Sequence, residues 1–271
     1  MDDIDFYLKE DLGQQGDVTS DSLFIKERAD ASIIAKEDCI VAGLVELQNV
    51  FKKTGAEVVL QACDGQFIKK GFLVALVSGP ARSVLKGERL ALNFIGRMSG
   101  IASETKKIVD MVNLINPNVK IAATRKTTPG FRKYEKKAVV IGGGQAHRSG
   151  LFDGVIIKDN HLKLIDSVHD AVESIRLKHS SLEIEVEVET LSQAVDVALL
   201  PVDVIMLDNF SAKDAAIAYK KIKEINPNIL IEISGGITPS NIKEYALCAD
   251  RISLGHLTTS IKNKDFSLEI H

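Results

Sequence analysis

The chain lacks several features that would mark a secreted or membrane protein. Its 271 residues include three cysteines, six prolines and no tryptophan. The cysteines (Cys39, Cys63 and Cys248) are scattered and form no CxxC pair, so the sequence indicates neither a disulfide framework nor a structural zinc site. No apolar run approaches the roughly 20 residues of a membrane-spanning helix, and the first five residues are acidic where a signal peptide is basic. We expect a cytoplasmic protein with reduced thiols and no membrane partner.

A surplus of positive charge is also absent. Lys and Arg number 34 against 37 Asp and Glu, which gives a net charge of −3. Proteins that hold long nucleic acids usually carry a basic surplus, so we expect no nucleic-acid partner. The apolar content of 45% and the charged content of 26% are those of a globular protein, and they exclude a disordered or fibrous chain.

Residues 1–102 combine short β-rich runs with helices. The pattern of apolar residues predicts strands at 31–39 and 56–62 and an amphipathic helix at 44–54. We therefore predict a mixed α/β N-terminal domain over residues 1–102, with the C-terminal segment 260–271 as a candidate addition to it.

The turn-rich segment 64–76 resembles the β-sandwich modules that carry biotin or lipoate. Its Lys69-Lys70 pair lies between predicted strands but lacks the Met or Asp neighbours of a modifiable carrier lysine. A β-sandwich-like module with a purely architectural role is the favoured interpretation. Beyond it, a long amphipathic helix is expected to begin at Glu88, to loosen at Ser99-Gly100 and to end at Leu114.

From residue 103 onward, apolar strands alternate with amphipathic helices. Six strands are predicted, at 119–124, 154–157, 182–188, 203–207, 229–233 and 251–254. Helices are predicted at 164–178, 191–199, 212–225 and 239–248. This alternation is typical of an α/β protein with parallel strands covered by helices, and we predict a barrel over residues 103–259. An open doubly wound sheet is the alternative, but it would gather its site at one switch point.

Polar side chains or glycines follow the predicted strands, and a parallel barrel collects its chemistry at these ends. The cationic candidates are Arg125, Lys126, His147, Arg148 and Lys158, and the acidic candidates are Glu187 and Asp208. The small residues Ser234, Gly235, Gly236 and Gly255 can open backbone N–H groups to an anion. The set predicts a pocket for a multiply anionic ligand, with two carboxylates available for a metal or a developing positive charge.

Four of these patterns also have structural interpretations. Arg125-Lys126 is either a binding pair or a solvated strand end. The run from Glu183 to Glu189 alternates strictly, so its four glutamates share one face, which points either to solvent or into the barrel. If they point inward, they need cations or Mg²⁺ beside them. Gly142-Gly143-Gly144 is either a flexible loop or part of a site, but it does not form a GxGxxG dinucleotide motif. His147 is either a binding residue or a structural histidine.

A set of motifs extends over nearly the whole chain and gives a specific resemblance. The densest part, residues 124–161, contains TRKTTPG at 124–130, GGGQAHR at 142–148 and KDNH at 158–161. Further motifs are EDLG at 10–13, GDVTS at 16–20, Glu88-Arg89 through Asn93, SGIA at 99–102, EVEV at 185–188, LDNF at 207–210 and SGG at 234–236. In this order, the motifs resemble those of the quinolinate phosphoribosyltransferase family.

The resemblance implies a fold and a reaction. The fold is a mixed α/β N-terminal domain joined to an incomplete α/β barrel of about seven strands. The reaction converts quinolinate and phosphoribosyl pyrophosphate to nicotinate mononucleotide, CO₂ and pyrophosphate in NAD biosynthesis, with Mg²⁺ as cofactor. The enzyme is a pentosyltransferase, and its active unit is a homodimer.

The resemblance also implies residue roles. Arg125, His147, Arg148 and Lys158 would bind quinolinate, and Arg89 would reach the same site from a neighbouring subunit. Lys126, Ser234, Gly235, Gly236 and Gly255 would bind phosphoribosyl pyrophosphate. Glu187 and Asp208 would hold the ribose hydroxyls and the metal, and together with Lys126 and Lys158 they form the expected catalytic set.

Two positions depart from the family pattern. Ala146 stands where many relatives carry Asn, and Thr259 stands where some carry His. The second departure puts one phosphate contact in doubt, and His256 is a neighbouring alternative.

Three other functions compete with the quinolinate reaction. They are a molybdenum-transport-associated relative of the same fold, a nicotinate phosphoribosyltransferase and a non-catalytic sensor of phosphate ligands. The KDNH motif argues against the first, and the Arg125, His147 and Arg148 set suits a diacid better than the single carboxylate of nicotinate. A sensor would need neither Glu187 nor Asp208.

Overall fold

In a computed structural model, which describes residues 3–271, the chain divides into two units. The N-terminal unit comprises the chain up to Lys106, together with Val140–Gly142 and Ile261–His271. The barrel unit comprises Lys107–Val139 and Gly143–Ser260. None of the helices between residues 3 and 271 combines the length and the apolar character needed to cross a bilayer.

Helices and strands alternate along much of the chain. The helices are α1 (Asp3–Leu12), α2 (Val18–Leu23), α3 (Leu44–Thr54), α4 (Ala81–Asn113), α5 (Arg132–Ile141), α6 (Asp159–Leu162), α7 (Val168–Lys178), α8 (Leu191–Ala198), α9 (Ala212–Ile225) and α10 (His256–Thr259). The strands are β1 (Arg28–Ala35), β2 (Cys39–Ile40), β3 (Glu57–Leu60), β4 (Phe67–Ile68), β5 (Leu73–Pro80), β6 (Lys120–Ala122), β7 (Val155–Ile157), β8 (Ile184–Val188), β9 (Val204–Asp208), β10 (Leu230–Ser234), β11 (Arg251–Ser253) and β12 (Phe266–Ile270).

The N-terminal unit contains an antiparallel sheet in the order β12-β1-β5-β3. The short strands β2 and β4 form a separate antiparallel pair. Helix α3 spans the predicted residues because Leu44, Leu47, Val50 and Phe51 repeat on one face, which is buried. Gly55 ends this helix in the left-handed conformation, as glycine commonly does at a helix C-terminus.

Helix α4 is a continuous 33-residue helix, which corrects two expectations. It begins at Ala81 rather than at Glu88, and it does not loosen at Ser99-Gly100. Ser99 is buried, and its hydroxyl oxygen accepts the N–H of Ala42 at 2.9 Å. A side chain at Gly100 would place its Cβ 2.4 Å from the carbonyl oxygen of Lys262. The small residues therefore allow close packing and do not interrupt the helix.

The barrel unit is built on a parallel sheet in the order β6-β11-β10-β9-β8-β7. All six predicted strands are present, and the sheet forms an incomplete barrel. Next to β6, the chain at Gln145 makes a single parallel bridge to Ala122. This bridge takes the place of the seventh strand that the family resemblance implies.

The helices of the barrel unit differ from expectation at residues 239–248 and at three helices that the pattern does not predict, α5 and the four-residue helices α6 and α10. Helices α7, α8 and α9 are present where predicted, but residues 239–248 contain only a short 3₁₀ turn at Ile242–Tyr245. There, the side-chain oxygen of Asn241 accepts the N–H of Thr238 at 2.9 Å, a local bond that competes with a longer helix. Helix α5 was not predicted, because its buried Glu135 and Lys136 obscure the apolar pattern.

Replacing Gly100 by Ala is expected to lower the free energy of unfolding by about 1–3 kcal/mol, because the added methyl group overlaps the carbonyl of Lys262. In an open helix, the same change would raise stability by about 1 kcal/mol. Denaturant unfolding measures the difference. Asn113→Ala, an exposed position on the same helix, is the control and should change stability by less than about 0.5 kcal/mol. A Gly100→Ala protein as stable as the parent would contradict the close approach.

Candidate active site

A cavity of about 690 Å³ lies at the C-terminal ends of the barrel strands. It is lined by every predicted site residue of the barrel unit: Arg125, Lys126, His147, Arg148, Lys158, Glu187, Asp208, Ser234, Gly235, Gly236 and Gly255. Arg89 does not line it, because this residue lies on α4 in the N-terminal unit, where it is exposed. The residues spread over strands β6 to β11 because each strand delivers its following residues to the same end of the barrel.

Besides Arg148, two cations in the cavity have no carboxylate partner within 4 Å among residues 3–271. They are Arg125 and Lys126, which directly follow β6. The backbone of Lys126 is fixed on both sides, because its N–H donates to Thr124 Oγ1 at 3.1 Å and its carbonyl accepts the Thr258 hydroxyl at 2.6 Å. The two side chains can therefore bind an anionic ligand without first breaking an ion pair.

The acidic side of the cavity is formed by Glu187 and Asp208. Lys158 Nζ forms an ion pair with Glu187 Oε2, whose side chain is buried. Asp208 has no cationic partner within 4 Å in the described chain, and its Oδ2 accepts the side-chain N–H of Asn209 at 2.7 Å. Burial, followed by the charge of Glu187, raises the pKa of Asp208, although Lys158 acts in the opposite direction. A cation near Asp208 would relieve this repulsion.

A tight glycine turn follows β10. Gly235 and Gly236 both have left-handed backbones, with φ of 79° and 62°. A Cβ on Gly235 would lie 2.5 Å from Asn209 Oδ1 and 2.6 Å from Asp208 Oδ1. Only glycine combines this conformation with this approach, so the turn brings backbone groups directly beside the carboxylate.

Arg148 is held at the gap between the Gln145 segment and β7. Its Nη1 donates to the carbonyl of Gly154 at 3.2 Å, immediately before that strand begins. Burial and then the nearby charge of Arg125 lower the pKa of the Arg148 guanidinium, which nevertheless stays protonated. Two guanidinium groups lining one cavity, one of them partly buried, favour a ligand with negative charge.

Both ring nitrogens of His147 are engaged within the protein. Nε2 lies 3.1 Å from Glu232 Oε2 and 3.4 Å from Glu185 Oε2. Nδ1 accepts the backbone N–H of Arg148 at 2.8 Å. The residue has a left-handed backbone with φ of 54°, which is unfavourable for a residue with a side chain. His147 therefore borders the cavity and is at the same time part of the protein's internal bonding.

The glutamates of β8 point into the barrel, which resolves the two interpretations of the 183–189 run. Glu185 and Glu187 are buried, whereas Glu183 and Glu189 at the strand ends are exposed. Lys158 compensates Glu187, and Arg251 lies 3.5 Å from Glu185 Oε2.

The sequence analysis did not name Glu232 or Arg251, and it named Asn209 only as part of the LDNF motif. Arg251 Nε bonds to Glu232 Oε2 inside the barrel. The sequence does contain a signal for these two residues, because each is a single charge in an otherwise apolar strand. Glu232 stands between two isoleucines in β10, and Arg251 precedes Ile252 in β11. Asn209 has φ of 57°, and its amide borders both Asp208 and Gly235.

The buried groups around His147 compete for one proton. Burial lowers the pKa of His147, but its hydrogen bonds to Glu185 and Glu232 outweigh this and raise the pKa to about 9. Burial also raises the pKa of Glu185. The N–H of Arg148 at Nδ1 favours the neutral imidazole, since a protonated Nδ1 cannot accept a hydrogen bond. A pKa of about 9 would make the ring a cation at neutral pH, but an imidazolium carries N–H on both nitrogens and could not accept this bond, so the geometry assigns a single ring proton, on Nε2.

Known proteins match the chain along both units. Residues 17–99 match the N-terminal domain and residues 101–269 match the C-terminal domain of quinolinate phosphoribosyl transferase. The chain is 40% identical over 259 residues to a probable nicotinate-nucleotide pyrophosphorylase (carboxylating) of Archaeoglobus fulgidus, covering 94% of this chain and 98% of the relative. A relative of the same description from Bacillus subtilis is 39% identical over 271 residues, covering 98% of this chain and 92% of its own.

Solved structures agree with these matches. The nicotinate-nucleotide pyrophosphorylase of Ehrlichia chaffeensis is 37% identical, with a TM-score of 0.90 over 99% of this chain and 97% of its own. A human nicotinic acid phosphoribosyltransferase is 11% identical with a TM-score of 0.59, covering 100% of this chain and 74% of its own, which shows a shared fold alone.

The fold and these matches define a phosphoribosyltransferase, an enzyme of the glycosyltransferase class. More narrowly, the chain belongs to the quinolinate phosphoribosyltransferase family.

Proposed function

We propose that this chain performs its family's reaction with the residues of the barrel cavity. Quinolinate and phosphoribosyl pyrophosphate are converted there to nicotinate mononucleotide, CO₂ and pyrophosphate. The observation that carries the proposal is the pairing, in one cavity, of unpartnered cations at Arg125 and Lys126 with carboxylates at Glu187 and Asp208. Cations suit the two anionic substrates, and carboxylates suit the cation-like ribose of the transition state.

Quinolinate is bound through its two carboxylates. Arg125 and Arg148 present planar guanidinium groups, which match carboxylates with paired hydrogen bonds. His147 lines the same cavity, and Lys158, the further candidate quinolinate ligand, forms an ion pair with Glu187. Nicotinate has one carboxylate and would leave one guanidinium without a partner, so the diacid is the better match.

Phosphoribosyl pyrophosphate is bound in the part of the cavity that quinolinate leaves free. Lys126 and Lys158 neutralise its phosphate oxygens, and the backbone N–H groups of residues 234–236 and Gly255, which line the cavity, face the same phosphates. Glu187 and Asp208 accept the ribose hydroxyls. The open turn at Gly235 supports this assignment, because a side chain there would fill the space beside Asp208.

The site also fits Mg²⁺. Asp208 has no cationic partner of its own within 4 Å in the described chain, and two carboxylates next to a diphosphate form the oxygen-rich donor set that Mg²⁺ prefers. Asp208 and Glu187 would hold the ion. When bound, Mg²⁺ supplies charge neutralisation for the leaving pyrophosphate.

The reaction follows from these placements. The pyridine nitrogen attacks ribose C1 with its lone pair while the bond from C1 to the pyrophosphate oxygen breaks, and that bonding pair leaves with pyrophosphate. Glu187 and Asp208 stabilise the positive charge on the ribose. The ring nitrogen becomes cationic, so the bond to the adjacent carboxylate breaks, CO₂ leaves, and the ring carbon takes a proton from water.

The proposal includes a homodimer and a cytoplasmic location. Arg89 is exposed on α4 and is the candidate contribution from a second copy. The three cysteines are free thiols in the described chain, which supports a reducing compartment.

The reaction is tested by incubating the purified protein with Mg²⁺, phosphoribosyl pyrophosphate and carboxyl-labelled quinolinate, with nicotinate as the parallel substrate. We expect labelled CO₂ and nicotinate mononucleotide from quinolinate, and no product from nicotinate. Turnover of nicotinate alone would overturn the diacid assignment. A folded protein that turns over neither substrate would overturn the proposed function.

Arg125→Ala and Arg148→Ala should each raise the KM for quinolinate by about 10- to 100-fold, because each removes a charge-assisted pair of hydrogen bonds. The KM for phosphoribosyl pyrophosphate should change much less. Lys163→Ala is the control, since this exposed lysine pairs with Asp159 outside the cavity. Near-normal quinolinate kinetics in either arginine variant would remove that arginine from the binding site.

Glu187→Ala should lower kcat by about 10²- to 10³-fold, because a preorganised charge facing the ribose is lost. The melting temperature reports whether the fold survives. The matched control is Glu189→Ala, which removes the exposed glutamate two residues further along. An unaltered kcat in Glu187→Ala would be incompatible with stabilisation of the ribose cation by this residue.

Mixing two inactive variants tests the dimer. If Arg89 acts across the interface, Arg89→Ala and Glu187→Ala chains, re-equilibrated as dimers, should recover about a quarter of the parent activity, because half the dimers are mixed and each has one intact site. If Arg89 acts within its own chain, the mixture stays inactive, and that result would contradict the shared site.

A further inference from the structure

A compact group of charged side chains lies next to His147 and has no part in the reaction described above; one of them lines the active-site cavity and two line a neighbouring cavity of about 260 Å³. It consists of Glu185, Glu232 and Arg251, which we call the charge cluster. The side chains of the two glutamates are 1% and 0% exposed, and that of Arg251 is 11% exposed. Charges buried this deeply need close partners, and replacing them with apolar residues often stabilises a protein. Their presence therefore calls for a role besides stability.

The charge cluster is linked to the cavity through one imidazole. Arg251 bonds to Glu232 Oε2, and the same oxygen lies 3.1 Å from His147 Nε2. On the other side of the ring, Nδ1 accepts the N–H of Arg148 at 2.8 Å. A continuous series of hydrogen bonds thus runs from Arg251 to the backbone of Arg148.

The turn that carries Arg148 depends on such support. His147 is held in the left-handed region, where a side chain is unfavourable. The preceding carbonyl, that of Ala146, accepts from the buried Lys136 Nζ, and the Arg148 guanidinium is fixed to the carbonyl of Gly154 at 3.2 Å. The third contact is that of the His147 imidazole, which holds the backbone N–H of Arg148 itself.

A metal site is the alternative interpretation of the same atoms. His147, Glu185 and Glu232 offer ligand atoms within 4.8 Å of one another. The guanidinium of Arg251 already lies against both carboxylates, at 3.5 Å from Glu185 Oε2 and closer to Glu232 Oε2. The Arg251 guanidinium thus already occupies the place beside the two carboxylates, and a metal ion would have to displace it.

Incomplete pairing also argues against a role in stability alone. Glu185 Oε1 and Glu232 Oε1 are buried without a hydrogen-bond partner among the described residues. A buried oxygen without a partner is destabilising, so a network shaped for stability would pair all four carboxylate oxygens. The oxygens that are paired are the ones that face His147 and Arg251.

We infer that the charge cluster positions Arg148 for its substrate carboxylate, acting through the imidazole of His147. Glu232 is the positioning residue, since it contacts both Arg251 and Nε2. The imidazole accepts the N–H of Arg148 only while its proton stays on Nε2, and the carboxylate of Glu232 holds the proton there. This role rests on the proposed function, because Arg148 is assigned there as a quinolinate ligand.

Glu232→Gln is the first test, because glutamine keeps the size and removes the charge. We expect the KM for quinolinate to rise by about tenfold, since Arg148 loses its fixed position, while the KM for phosphoribosyl pyrophosphate changes by less than about twofold. The control is Glu37→Gln, the same change of charge in the 2.9 Å ion pair with Lys264 of the N-terminal unit, which contacts neither Arg148 nor the charge cluster. It should alter thermal stability but neither KM.

A double-mutant cycle tests the connection through His147. Asn tolerates a left-handed backbone but is too short to reach Glu232 from this position, so His147→Asn should raise the quinolinate KM like Glu232→Gln. The double variant should show little further increase, because both changes break the same series of hydrogen bonds. If the increase in quinolinate KM of the double variant equals the product of the two single increases, His147 and Glu232 act independently, and the inference is overturned.

The protonation of the His147 ring can be measured directly by ¹⁵N NMR of the parent protein labelled with ¹⁵N-histidine. This measurement requires no enzyme activity, and it does not depend on whether Glu232→Gln folds. We expect the parent His147 ring to carry its proton on Nε2 with Nδ1 unprotonated, its signals assigned by their loss in His147→Asn. A proton on Nδ1 would overturn the inference, as would equal changes of both KM values in Glu232→Gln. If the parent protein does not turn over quinolinate, the proposed function fails, and the NMR result still decides the hydrogen-bond arrangement.

Discussion

Charge compensation inside the barrel is the constraint on which the site depends. The unit places carboxylates from β8, β9 and β10 toward a common interior, where an isolated charge would be strongly unfavourable. Two of them are matched by cations from other elements: Glu187 by Lys158 after β7, and Glu232 by Arg251 on β11. Of these interior carboxylates, Asp208 lacks a protein cation within ion-pair distance among the described residues, and it lines the cavity. In the proposed function, a bound ligand would supply the missing positive charge.

The same constraint separates two layers of the barrel. The upper layer is formed by residues at the strand ends that line the cavity. The lower layer contains Glu185, Glu232 and Arg251, in which the two carboxylates are contacted by the Arg251 guanidinium and by Nε2 of His147. His147 and Arg148 are adjacent in the chain but belong to different layers, because the left-handed turn sends one ring inward and leaves the next guanidinium at the cavity.

Much of this arrangement could be predicted from the sequence, and the exceptions have physical reasons. The strands were predictable because each is a short apolar run between turn residues, and the site residues because parallel strands end at one face. Helix α5 was missed because Glu135 is buried through bonds to the N–H and hydroxyl of Thr128, a compensation that no periodicity reveals. The partnership of Glu232 with Arg251 depends on strand register, which the sequence pattern leaves open. The seventh strand position is filled by a single bridge at Gln145, too short to produce a pattern.

The pairing of β12 with β1 has a consequence for synthesis of the chain. Ala31 lies opposite Ile270, so this edge of the N-terminal sheet is completed by residues made more than two hundred positions later. During translation, β1 can pair with β5 but exposes its other edge until β12 leaves the ribosome, while the whole barrel unit emerges in between. The barrel can therefore fold before the unit that precedes it in the chain is complete, and the nascent protein has an open strand edge for most of its synthesis.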